Sequence, residues 1–218
     1  MAKGKRVARS TPRRAEVVRK TRETDIKLSV DLDRAAPPKV QTGVGFFDHM
    51  LTALATHGRF GLDVEARGDL HVDAHHLVED VGIVLGAAFR EALGADLRIG
   101  RFGSAYAPLD DALARAVVDV SGRGFLHYEA SFRRAKVGDF EVDLAQEFFA
   151  ALAANARMNI HLTALHGRNA HHILEALFKA LALALRQALA RDRSIEEVPS
   201  TKGALSEHEA RRPPRRRR

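Results

Sequence analysis

Apolar positions change period several times along the chain, and these changes divide it into elements. Alternation at every second residue predicts strands over 15–21 (AEVVRKT), 25–32 (DIKLSVDL), 61–67 (GLDVEAR) and 158–165 (MNIHLTAL), with further strands at 113–121 (LARAVVDVS) and 125–131 (FLHYEAS). Apolar residues three and four apart predict helices over 46–57, 75–93, 143–156 and 171–189. Both halves then read strand, strand, helix, strand, helix. That order predicts an α+β fold of two duplicated two-layer units, with helices packed on one face of each sheet. The segment from Gly94 to Gly100 is the expected junction, giving one repeat over 15–95 and a second over 96–198.

Composition narrows the class. A chain of 218 residues with 45% hydrophobic content can bury a full core. With no cysteine, it can form no disulfide framework, thiolate metal site or cysteine nucleophile. No apolar run approaches the roughly 20 residues that span a bilayer, and the basic N-terminus lacks the apolar stretch of a secretory signal. The expected setting is cytoplasmic, with no membrane partner. A net charge of +7 points at first to nucleic acid. However, six of the positive charges lie in residues 1–14 and six in residues 211–218; without those twelve, residues 15–210 carry −5. The basicity therefore belongs to two stretches that cannot form a core: a tail over 1–14 and the end of 199–218, so a nucleic-acid partner is not expected.

The chemistry concentrates in a repeated pattern. His75, His76 and Glu79 form His-His-x-x-Glu at the head of one predicted helix, and His171, His172 and Glu175 form it again 96 residues later. Residues four apart share a helix face, so His75 pairs with Glu79 and His171 with Glu175. Adjacent residues diverge by about 100°, so His76 and His172 point elsewhere, to a second ion or to a substrate. His49 and His161 add one imidazole to each half. Imidazole with carboxylate and no thiolate suits Mn, Fe, Zn or Ni, and ligand type alone does not choose among them. The order of residues is not the His-Glu-x-x-His of zinc proteases, and no dinucleotide or Walker fingerprint is present. Ser200, Thr201 and Lys202 in PSTKG form a turn suited to phosphate, to which Arg101, Arg123 and Lys179 can contribute. Tyr106, Tyr128 and the phenylalanines are expected in the core.

With these residues in view, the chain resembles the imidazoleglycerol-phosphate dehydratase family. The stretches that carry the resemblance are RKTRETDIKLSVDLD, TGVGFFDHML, GDLHVDAHHLVEDVGIVLG, RFGSAYAPLDDAL, VDVSGRGF, EFFAALA, NIHL, GRNAHHILEALFKA and PSTKG, which together cover most of 15–203. The resemblance implies a duplicated fold of the ribosomal-S5-domain-2-like type. It also implies dehydration of D-erythro-imidazole glycerol phosphate to imidazole acetol phosphate in histidine biosynthesis. Matching positions make His49, His75, His76, Glu79, His161, His171, His172 and Glu175 the ligands of two Mn2+ ions. They make Glu23 the base that removes the proton from the non-acidic C–H. Substrate contacts fall to Glu23, His49, His57, His75, Glu79, Arg101, Arg123, His171, Lys179, Ser200, Thr201 and Lys202. The site is then completed by neighbouring subunits of a large homo-oligomer built from trimers. That would explain why the motif occurs twice.

Two other readings compete. Paired metals and phosphate-binding cations also suit a phosphohydrolase, which releases free phosphate where the lyase gives a phosphorylated ketone. A metal-stabilised assembly binding nucleic acid through its tails would show steep salt dependence.

Overall fold

Alternation builds the sheets as expected. In β2 (Thr24–Asp31), Thr24, Ile26, Leu28 and Val30 turn inward while Asp25 and Lys27 face solvent. The computed structural model describes residues 11–95, 98–192 and 194. Its first half runs β1 (Arg14–Lys20), β2, β3 (Lys39–Gln41), α1 (Gly45–Gly58), β4 (Gly61–Gly68) and α2 (His75–Leu93). The second runs β5 (Phe102–Leu109), β6 (Ala112–Asp119), β7 (Phe125–Glu129), the short hairpin β8 (Lys136–Val137) and β9 (Phe140–Glu141), then α3 (Leu144–Ala156), β10 (Asn159–His166) and α4 (Ala170–Ala188). Sheet one has the order β1-β2-β4-β3 and sheet two the order β5-β6-β10-β7. In each sheet the first three strands pair antiparallel and the last pair is parallel.

The topology confirms the duplication and corrects its register. The pattern reading paired 113–121 and 125–131 with the first two strands of the chain. In the fold, β6 is the counterpart of β2, β7 of β3, and the unpredicted β5 of β1. β5 is hard to read because its polarity is inverted: its inward positions are the small Gly103, Ala105 and Ala107, while Phe102 and Tyr106 point out, 59% and 58% exposed. The inner face has no room for more. A Cβ on Gly103 would run into the Ala184 backbone of α4. Tyr106, Phe102 and Phe125 are thus surface residues, contrary to the expectation that the aromatics are core.

The N-terminal boundary also shifts. Arg13 and Arg14, counted above with the basic tail, belong to the folded body. Arg13 is 7% exposed; its Nη1 donates to the Leu189 carbonyl at 2.5 Å and its Nε to Asp33 Oδ1 at 2.9 Å. Asp33 also receives Arg191, so one carboxylate fastens the start of β1 to the chain leaving α4.

The long helix of each half covers its own sheet and packs against the short helix of the other half. α2 lies on β1 and β2 and along α3; α4 lies on β5 and β6 and along α1. Phe47, Phe140, Phe148, Phe149 and Phe178 join the halves in one core. The α2–α3 approach depends on two glycines one turn apart. A Cβ on Gly86 would sit 2.7 Å from the Leu152 carbonyl oxygen and 2.8 Å from the Ala156 nitrogen, and one on Gly82 would sit 2.7 Å from the Phe148 carbonyl oxygen. These are backbone atoms and cannot rotate away. Gly86→Ala should therefore lower stability by about 1–3 kcal/mol despite alanine's better helix propensity. Thermal melting checks this, with Gly45→Ala, where an added Cβ meets nothing within 4 Å, as the control. A Gly86→Ala melting point at or above the parent's would mean that α2 and α3 do not pack this closely.

Candidate metal centre and active site

A polar side chain two residues ahead holds the first histidine of each motif, from the N-cap itself in α4 (Asn169) and from one residue before the N-cap Ala74 in α2. Asp73 and Asn169 stand two residues ahead of the first histidine, and each accepts its backbone N–H: His75 N to Asp73 Oδ1 at 2.8 Å, and His171 N to Asn169 Oδ1 at 2.9 Å. Capping by a short polar side chain satisfies an orphan donor of the first turn. It also sets where the two histidines leave the helix.

Three of the eight expected ligands meet within one chain. His49 of α1 places Nε2 3.0 Å from Glu175 Oε2, and His171 places its Nε2 3.1 Å from the same oxygen. The other oxygen, Oε1, takes the Lys179 ammonium at 2.5 Å. The two imidazole nitrogens and one carboxylate oxygen lie within 4.8 Å of one another, the only group of three metal-binding side chains so gathered among the described residues. Phe46 packs its ring against His171, with centroids 5.1 Å apart, and closes one side. Burial pushes the Glu175 carboxyl up, but Lys179, His49 and His171 together outweigh it and hold the group down at about 2. Glu175 is thus held as an anion, and a divalent cation fits where the two imidazole nitrogens converge on one of its oxygens. His57, at the end of α1, is kept below the usual imidazole range by burial first and by the Lys179 charge second.

The first motif is looser. His75 Nε2 is 3.9 Å from Glu79 Oε2 on the same face of α2. His76 turns to Asp69, with Nδ1 3.1 Å from Oδ2, and Glu23 Oε2 is 3.9 Å from the same nitrogen. Glu23 is half-exposed at the β1–β2 turn, and that turn is braced. Thr21 Oγ1 accepts the N–H of Glu23 and of Thr24; Thr24 Oγ1 donates to the buried Asp80 of α2 at 2.5 Å; Arg19 Nε donates to the same carboxylate at 2.9 Å. Glu23 is therefore tied to the helix that carries His75, His76 and Glu79.

The remaining residues are dispersed. His172 places Nδ1 2.6 Å from Asp111 Oδ1. His161 lies on the outer face of β10 between the inward Ile160 and Leu162, beside Phe125 and His127, while α4 covers the inner face of that sheet. Arg101 binds Asp119 at 2.8 Å and stacks on Phe102. Arg123 sits in the β6–β7 turn braced by Ser121. Ser200, Thr201 and Lys202 lie outside the described residues.

Comparison with known proteins now bears on this geometry. A family profile described as imidazoleglycerol-phosphate dehydratase matches residues 42–185. The chain belongs to the imidazoleglycerol-phosphate dehydratase family. It is 55% identical over 193 residues to the dehydratase of Streptococcus sanguinis, covering 88% of this chain and all of that one. It is 53% identical to that of Azorhizobium caulinodans, covering 88% and 98%. Solved structures agree. The dehydratase of Staphylococcus aureus superposes with a TM-score of 0.75 at 40% identity, over 82% of this chain and 99% of that one. That of Pyrococcus furiosus, in complex with (S)-C348, gives 0.74 at 40% identity over 86% and 99%. The family is one of metal-dependent lyases, which favours the dehydratase over the phosphohydrolase. No helix among the described residues is long and apolar enough to cross a membrane.

Sequence reasoning missed three kinds of residue here. Asp69, which faces His76, lies seven residues before it across a turn, whereas Asp111 and Thr24 lie 61 and 56 residues from His172 and Asp80, which they touch. Phe46 lies inside the quoted stretch TGVGFFDHML but reads as ordinary core. His172 first, and then the N–H groups of Arg168 and Asn169, hold the Asp111 carboxyl down at about 2.

The Lys179–Glu175 contact generates a prediction. Lysine and both histidines oppose burial at Glu175, so Lys179→Met should move the Glu175 pKa upward from about 2. Carboxyl 13C NMR titration of metal-free protein reads this directly. The variant's carboxylate should begin to protonate at a higher pH than the parent's, and an unchanged titration would remove Lys179 as the group that holds the charge.

Proposed function

We propose that the chain removes water from D-erythro-imidazole glycerol phosphate to give imidazole acetol phosphate in histidine biosynthesis, with two Mn2+ ions per site and Glu23 as base. The observation that carries the metal reading is the His49–His171–Glu175 group. Its imidazole and carboxylate donors suit a borderline-to-hard divalent cation. The remaining ligands are His75, His76, Glu79, His161 and His172. When bound, the ions supply Lewis-acid polarisation and a template for the imidazole of the substrate.

The residues of the chain do the rest. Glu23 takes the proton from the carbon beside the carbinol that bears the imidazole. The C–H electron pair becomes a double bond, hydroxide departs from the carbinol and leaves as water with a proton equivalent to the one Glu23 took up, and the enol so formed becomes the ketone as its O–H proton moves to the carbon that lost the hydroxyl. A base in this role must be held in place with its carboxylate free of hydrogen bonds. Glu23 fits: its backbone is braced through Thr21 and Thr24 to Asp80, and its carboxylate has no hydrogen-bond partner among the described residues. Arg101, Arg123, Lys179, Ser200, Thr201 and Lys202 are assigned to the phosphate. His49, His57, His75, Glu79 and His171 line the substrate.

The same reading makes the enzyme a homo-oligomer with sites between copies. His161 cannot reach the α4 ligands of its own chain through the sheet that separates them. It stands on a face with Phe102, Tyr106, Val117 and Phe125 exposed around it. The equivalent face of sheet one carries the ion pairs Glu16–Lys27 and Lys20–Asp25 instead. An apolar sheet face of this kind is suited to burial against another copy, which would bring His161 to a neighbour's site.

Glu23→Gln tests the base. It keeps size and hydrogen-bonding capacity but cannot accept the proton. Turnover should fall at least about 10²-fold, while Mn2+ content and oligomer mass match the parent and unreacted substrate stays bound. Turnover within a few-fold of the parent would exclude Glu23 from proton transfer.

A further inference from the structure

The second histidine of each motif is held by a carboxylate, and the two carboxylates come from unrelated places in the repeat. His76 Nδ1 lies 3.1 and 3.3 Å from the two oxygens of Asp69, which follows β4. His172 Nδ1 lies 2.6 Å from Asp111 Oδ1 in the β5–β6 turn. The counterpart of that turn in the first half is the β1–β2 turn, which carries Glu23. Duplication alone therefore does not supply the pairing. Each half reaches the same arrangement with a different element.

The chemistry of the contact is specific. An ionised carboxylate can only accept, so Nδ1 must carry the hydrogen and, in the neutral ring, Nε2 keeps its lone pair. We propose that Asp69 and Asp111 are positioning residues of the metal centre, fixing the tautomer and ring direction that present Nε2 of His76 and His172 to a divalent cation. The proposal rests on the preceding reading of these histidines as ligands. It also accounts for the division of labour among the turn carboxylates. In the first half Asp69 holds the histidine, which leaves Glu23 at the turn free for proton transfer. In the second half Asp111 at the turn does the holding. Asp69 has no other side-chain partner among the described residues, whereas Asp111 Oδ2 also accepts Arg168 N at 2.6 Å and Asn169 N at 3.2 Å. Asp69 is therefore the cleaner probe.

Mn2+ titration of metal-free full-length protein, followed by electron paramagnetic resonance of the unbound ion, provides the test, with melting measured alongside. Loss of a carboxylate behind a ligating histidine typically costs about 10–100-fold in metal affinity. Asp69→Ala should weaken uptake by that order with melting little changed. Asp69→Asn, which keeps an acceptor but not the charge, should recover part of the loss. Asp111→Ala should weaken uptake and also lower the melting point; if it does not fold, the Asp69 pair decides. A parent that binds Mn2+ while both Asp69 variants bind it equally well overturns the inference and leaves the metal reading intact. A parent that takes up no Mn2+ removes both.

Discussion

One carboxylate, Glu175, ties the first half of the molecule to the second. It lies almost buried on α4 and receives His49 from α1, His171 from its own first turn and Lys179 from the turn below. A buried charge survives only when its partners are in place. The α1–α4 packing, the capped first turn of α4 and the reach of Lys179 are therefore all conditions for it. The same contacts gather the metal-binding group. Fold and site meet at this point because the long helix of one repeat packs against the short helix of the other, so side chains able to bind a metal converge from both halves of the chain.

Duplication was legible because it is written in helix periodicity, and the two His-His-x-x-Glu motifs mark equivalent turns. The strands were legible only where one face is core and the other is water. β2 obeys that rule. β5 breaks it, since Gly103, Ala105 and Ala107 face α4 at close range while Phe102 and Tyr106 face out. A pattern reader assigns such a stretch to a loop and then matches the halves one strand out of step. The inverted strand is informative in its own right: large apolar groups on the outside are what an assembled protein would place against a second copy.

At the site, residue types and local spacing marked out the expected ligands, because i and i+4 positions on a helix are neighbours in any fold. What they could not reveal was which side chains support those ligands. Asp69 to His76, Asp111 to His172 and Thr24 to Asp80 are contacts between a turn and a helix, set by how β1, β4 and β5 end against α2 and α4. No sequence period encodes them. Likewise, Glu23 and Asp111 look equivalent as acidic residues in β-turns. Only their partners distinguish a braced carboxylate with no hydrogen bond among the described residues, 3.9 Å from His76, from one that accepts three.

The central claim is that copies of the chain complete one another's sites. Mixing Glu175→Ala with His161→Ala in equal amounts, under conditions where subunits co-assemble, tests it most directly. Each variant alone should be inactive. If His161 serves a neighbour, about a quarter of the sites in a randomly mixed closed assembly pair an intact Glu175 with an intact His161 from another copy, and turnover of imidazole glycerol phosphate returns. If each chain serves only itself, the mixture stays as inactive as its components, and the account is contradicted.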